Sequence, residues 1–148
     1  MSLEQKINDG IKAAMFAKDK IRLESLRAVK AAILLAKTSE NAKDFDETAE
    51  IKMLQKLVKQ RRETANIYIS NNRQELADKE LAEADIIEEF LPKQLSEQEI
   101  ESTVKSIIES TGAASIKDMG KVMGVASKQL AGKADGKFIA DTIKKLLQ

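Results

Sequence analysis

The chain has 148 residues, with 25 lysines and arginines against 24 aspartates and glutamates, one proline, and neither cysteine nor histidine. Losing both of the last two removes disulfides, thiolate nucleophiles, the usual general base near neutral pH and the commonest transition-metal ligand, and with them most nucleophilic triads and transition-metal sites; carboxylate or lysine chemistry stays open, but no catalytic residue, metal site or cofactor is singled out. At 43% hydrophobic, 33% charged and 3% aromatic residues the composition is that of a soluble all-α protein; the longest apolar run, Ala31 to Ala36, is far short of a membrane span, no leader segment is read, and a cytoplasmic protein without membrane contact is expected.

Ser2 with Gln5 forms a capping-box start, and Leu3, Ile7, Ile11, Ala14 and Met15 recur at helical spacing to about Ala17. Asp19 caps a second helix to about Lys37, with a stripe through Leu23, Leu26, Val29 or Lys30, Ile33 and Leu34. A polar loop from Ser39 to Asp46 reverses the chain. Asp46 then caps a third helix, about Glu47 to Ser70, with Ile51, Leu54, Val58, Ala65, Tyr68 and Ile69 on one side. Arg61 and Arg62 interrupt that stripe. Either they bury their stems and pair with acids such as Glu63 or those of the next helix, or they form a phosphate-facing fork, a secondary basic site. Asn71-Asn72 breaks the chain before a fourth helix, Gln74 to Phe90, with Leu76, Leu81, Ala84, Ile87 and Leu91 inward. Pro92 stops it, and Ser96 with Glu99 starts another. The boundary is placed there: an N-terminal multihelical bundle over 1–92 and a small three-helix domain over 93–148. The three helices are Ser96 to Thr111 closed by Gly112, Ser115 to Ala131 closed by Gly132 with Ser115 and Asp118 as its box, and Asp135 to Leu147.

Charge is uneven along the chain. From Gly112 onward seven lysines face three aspartates, a balance of +4, whereas between Glu75 and Glu101 ten acids accompany only Lys79 and Lys93. The basic segment also holds five of the six glycines. Glycine lowers helix stability, so its interleaving with lysine marks a candidate site: Lys117, Lys121, Lys128, Lys133 and Lys137 as anion contacts, and Gly120, Gly124, Gly132 and Gly136 as positions of close approach. The plainer reading is helix packing for Gly120 and Gly124 and solvated surface for the lysines. Three local patterns carry no chemistry. Asp44, Asp46 and Glu47 lack the glycine and terminal glutamate of a calcium loop. Ser102-Thr103-Val104-Lys105 has no companion acyl-enzyme elements. Gly132 to Lys137 is one residue short of a phosphate loop, with Phe138 where a hydroxyl is needed. Phe16, Phe45, Tyr68, Phe90 and Phe138 are scattered and form no stacking platform, so a nucleic-acid partner would be read by shape and backbone.

Ala14 to Lys20 leading to Leu26-Arg27, Val58-Lys59-Gln60-Arg61-Arg62, Leu91 to Ser96, Lys117 to Gly124 and Gly132 to Lys137, in that order and spacing, resemble the YqeY family across essentially the whole chain. That family is similar to the C-terminal tail region of the B subunit of the glutamine-dependent aspartyl/glutamyl-tRNA amidotransferase. The resemblance implies a multihelical part plus a three-helix domain and a non-catalytic role in binding tRNA. It also brings an inherited description, carbon–nitrogen ligase with glutamine as amido-N-donor, although the chain lacks a glutaminase nucleophile and an ATP–magnesium site. Two positions depart from the family pattern. Lys133 stands where arginine is common, which loses bidentate phosphate geometry, and Val125 to Ala131 has no proline, which suggests an unbroken helix. The alternative role is a protein-interaction module docking on a tRNA synthetase or amidotransferase through Met119, Val122 and Met123; a third is an enzyme that itself consumes glutamine.

Overall fold

The computed structural model describes residues 1–39 and 42–148; Glu40 and Asn41, within the expected Ser39 to Asp46 loop, lie outside the described residues. The described residues form seven α-helices: α1 Leu3–Ala17, α2 Lys20–Thr38, α3 Glu47–Ser70, α4 Gln74–Glu88, α5 Glu97–Thr111, α6 Met119–Gln129 and α7 Gly136–Leu147, with 3-10 turns at Ala42–Asp44 and Ile116–Asp118. They divide into two compact units, Met1–Leu91 and Pro92–Gln148.

In the first unit the ends of each helix are set by local chemistry. The Ser2–Gln5 box is complete: the Gln5 N–H donates to Ser2 Oγ and the Ser2 N–H to Gln5 Oε1, both at 3.1 Å. Lys18 turns the chain through a left-handed conformation at φ 57°, after which Asp19 caps α2 by accepting the Arg22 N–H at 3.1 Å. Asp46 does the same for α3 through the Ala49 N–H at 3.0 Å. Asn72, at φ 59°, makes the bend from α3 into α4. Ile7, Leu26, Val29, Ile33, Leu54, Val58, Ala84 and Ile87 form one buried cluster.

Four apolar residues expected to point inward are substantially exposed: Met15, Leu34, Ile69 and Leu76. Each lies at the edge of its stripe, and the neighbouring helices cover a narrower arc than the apolar residues span. At the α3–α4 end the buried positions are alanines, Ala65 and Ala77, so the two helices pack there through small side chains.

The second unit is built on Ile100, Val104, Ile107, Val122, Ala126, Leu130, Ile139, Ile143 and Leu147. Ser96 caps α5 by accepting the Glu99 N–H at 3.2 Å, and Gly112 ends it at φ 69°. The helix expected over Ser115 to Ala131 is instead a 3-10 turn followed by a shorter, uninterrupted α6. It stops before Gly132, whose φ of 74° belongs to a turn.

Gly10, within α1, is where a side chain would not fit: a Cβ there would lie 2.9 Å from Leu26 Cδ1, and Leu26 is wholly buried. Alanine gains about 1 kcal/mol of helix propensity, while overpacking costs about 1–3 kcal/mol. Gly10→Ala is therefore expected to lower stability by about 1 kcal/mol net, seen as a lower urea midpoint with unchanged slope; a midpoint equal to or above the parent's would show that Leu26 repacks freely.

Candidate functional site

A glycine inside a helix lowers stability by about 1 kcal/mol relative to alanine, so two of them one turn apart in α6 need a reason. Packing among the described residues does not supply it. Gly120 and Gly124 are exposed, and a Cβ built at either would meet nothing within 4 Å. Together with Lys121, Val125, Lys128 and Gln129 they line a shallow open depression along one face of α6. The helical repeat puts positions 120, 121, 124 and 128 on neighbouring ridges of that face, so the floor is bare backbone with Lys121 and Lys128 in its lining.

Lys121 has a second task. Its Nζ donates to the Thr111 carbonyl at 2.9 Å, satisfying an acceptor at the C-terminal end of α5, where the backbone has no helical partner and the dipole favours a cation. Lys128 makes no ion pair among the described residues. Just before α6, Asp118 accepts the Ala114 N–H at 2.9 Å and the Ser115 N–H at 3.4 Å. These two backbone donors, in that order, with a smaller contribution from Lys121, hold its carboxyl below the ordinary carboxylate range.

The other expected contacts are dispersed. Lys117 lies in the 3-10 turn, Lys133 in the α6–α7 connection and Lys137 in the first turn of α7, all exposed and none lining the α6 depression. Gly136 is the first residue of α7, capped by Asp135 through the Lys137 N–H at 3.4 Å. Gly132 is buried and its place is structural. Its carbonyl accepts Gln94 Nε2 at 2.6 Å, the same nitrogen donates to the Pro92 carbonyl at 2.8 Å, and the Leu95 N–H donates to the Lys133 carbonyl at 3.0 Å. The Leu91-to-Ser96 and Gly132-to-Lys137 elements are thus clamped together, a role for Gln94 that only their joint occurrence in the sequence hinted at.

Burial and pairing bear on two further expectations. Val122 is fully buried, and Met119 and Met123 are partly buried against the same core, so of the three expected docking residues only the two methionines keep some surface. Arg61 Nε lies 3.4 Å from Glu83, and Arg62 pairs with Glu88 at 2.7 Å and more loosely with Asp85 at 3.8 Å. Both arginines therefore meet acids of α4, and a phosphate would have to displace them.

The family pattern described as Yqey-like protein matches residues 4–147. The chain belongs to the YqeY-like family. Among curated proteins, this YqeY-like chain is similar to the Altered inheritance of mitochondria protein 41, mitochondrial, of Saccharomyces cerevisiae, at 30% identity over 87% of this chain and 68% of the yeast protein. The protein of the same name from Kluyveromyces lactis is 28% identical over 93% of this chain and 72% of its own length. Among the described residues no helix is long and apolar enough to cross a membrane.

Removing the clamp by Gln94→Ala leaves the Gly132 carbonyl buried without its donor, an expected loss of about 1–2 kcal/mol in urea unfolding followed by circular dichroism; an unchanged midpoint would mean that solvent replaces the amide. Asp118 makes an opposite kind of statement, in pH. Its carboxyl is lowered in the folded state, so its contribution is present above the ordinary carboxylate range and lost as the pH falls through and below it. Asp118→Asn should be less stable than the parent at neutral pH, with the gap closing in acid; a gap independent of pH would refute the assignment.

Proposed function

We propose that this YqeY-like protein is a non-catalytic tRNA-binding module that recognises folded RNA by backbone and shape, with the glycine face of α6 as the point of closest approach. The observation that carries this reading is the open Gly120–Gly124 floor beside Lys121 and Lys128: helix stability is given up where none of the described residues outside α6 comes near. A ribose-phosphate backbone can lie against such a floor at a distance that side chains would forbid, and lysine ammonium groups supply unoriented charge for phosphates. The +4 balance from Gly112 onward agrees, and so does the family's resemblance to the amidotransferase tail. Few phosphates can be neutralised by so modest a charge, so binding should be weak and sensitive to salt. Lys117, Lys133 and Lys137 are peripheral contacts in this reading. The carbon–nitrogen ligase description follows the relationship and not the chemistry of a chain without histidine or cysteine. The same reading has the protein act in the cytoplasm, in keeping with a cysteine-free chain.

Gly124→Ala separates function from folding. It should raise stability by about 1 kcal/mol and yet lower affinity for folded tRNA by about three- to tenfold in fluorescence anisotropy, as should Lys128→Glu. Lys121 is a poorer choice because its loss also frees the Thr111 carbonyl. Affinity unchanged in both variants would remove α6 as the interface.

A further inference from the structure

Four of the five aromatic residues are at least half withdrawn from solvent. Phe45 and Phe90 pack against the first unit's core, Phe138 against the second's, and Tyr68 is half-buried. Phe16 is 87% exposed. It sits in the last turn of α1, beside Met15, 56% exposed, and just before the left-handed Lys18.

Lysines outnumber acids around it. Lys12 is one helical turn before Phe16 on the same face, and Lys18 and Lys20 flank the turn into α2. All three are exposed and none forms an ion pair among the described residues. Two acids lie close by in sequence, Asp9 two turns back on the same face and Asp19 between Lys18 and Lys20. Asp19 accepts the Arg22 N–H, and Arg22 pairs with Glu89 at 2.7 Å.

We infer that this corner is a second nucleic-acid contact, in which the Phe16 ring stacks on an unpaired base and Lys12, Lys18 and Lys20 meet the phosphates on either side. The combination of one projecting ring and surrounding cations is what single-stranded recognition requires, because every base offers a π-face and every nucleotide a charge. An acidic helical partner would need a run of apolar anchors at i, i+3, i+4 and i+7. Going back along the Phe16 face of α1, the residues are Ala13, Lys12, Asp9 and Gln5, which offer no such run. The apolar area is that of a ring and one neighbour, the size of a base. This inference rests on the reading above that the chain binds RNA, but on different residues in a different unit.

The chain has no tryptophan, so Phe16→Trp places a unique fluorophore at the corner, and the side chain's exposure makes the change harmless to folding. A short unstructured RNA is expected to quench its emission, a blunt RNA duplex of equal length to do so far less, and phosphatidylserine vesicles to leave it unshifted. Phe16→Ala and Phe16→Leu should each weaken binding of the unstructured RNA about tenfold, since leucine keeps the apolar surface and loses the stack. Retained affinity in Phe16→Leu, a blue shift with vesicles, or a response to protein concentration in place of RNA would overturn the inference. Two mixed outcomes separate it from the tRNA proposal. If tRNA binding is weakened by Lys128→Glu while Trp at position 16 stays silent, the corner is excluded and α6 stands. If the unstructured RNA quenches Trp at position 16 and Lys128→Glu is neutral, the corner stands and α6 falls.

Discussion

A helix can end only where its unpaired backbone groups find partners, and that constraint shapes both units. Their cores are made of aliphatic side chains and alanine, which bury area without specifying direction. Direction comes from the termini. Ser2, Asp19, Asp46, Ser96 and Asp135 each present a short oxygen to a first-turn N–H, and Gly112 and Gly132 reverse the chain through positive φ. Where connectors are this short, the caps decide which face of the next helix meets the core.

Because capping is local, it was legible. The α3 boundaries follow from Asp46 and from the Asn71-Asn72 break, and α5 is bracketed by Ser96 and Gly112. What depends on neighbours was not. Periodicity marks Met15, Leu34, Ile69 and Leu76 as apolar at helical spacing, but the arc that is actually covered is set by where the other helices lie. The split of the expected Ser115 to Ala131 helix has a local origin: Asp118, read as part of a capping box, turns back to the Ala114 and Ser115 N–H groups and tightens the first turn.

The candidate site was legible in kind and not in arrangement. Glycine and lysine in one segment signalled a special surface, yet nothing local distinguishes Gly120, open to solvent, from Gly132, closed in a turn whose carbonyl partner lies 38 residues away. Arg61 and Arg62 admitted two readings, and the deciding acids are on another helix. Those pairings also alter the meaning of the acidic stretch. Glu83 and Glu88 are engaged with α3, and Glu89 with α2 through Arg22. The more exposed of these pairs, Arg22–Glu89 and Arg62–Glu88, contribute little stability each, but all of them reduce the negative field that the sequence presents as a block.

The bond from Lys121 to the Thr111 carbonyl makes one ammonium group serve two masters. A phosphate bound on the α6 floor would draw on the same ammonium group, one of whose three N–H donors is already given to the end of α5. By reciprocity, a ligand that drew Lys121 away would loosen the last turn of α5, and a firmer turn would hold Lys121 back from that ligand. The lysine at the rim of the floor is then a gauge: the order of the α5 terminus, read by amide exchange at Gly112 and Ala113, would report occupancy of a surface that neither residue touches.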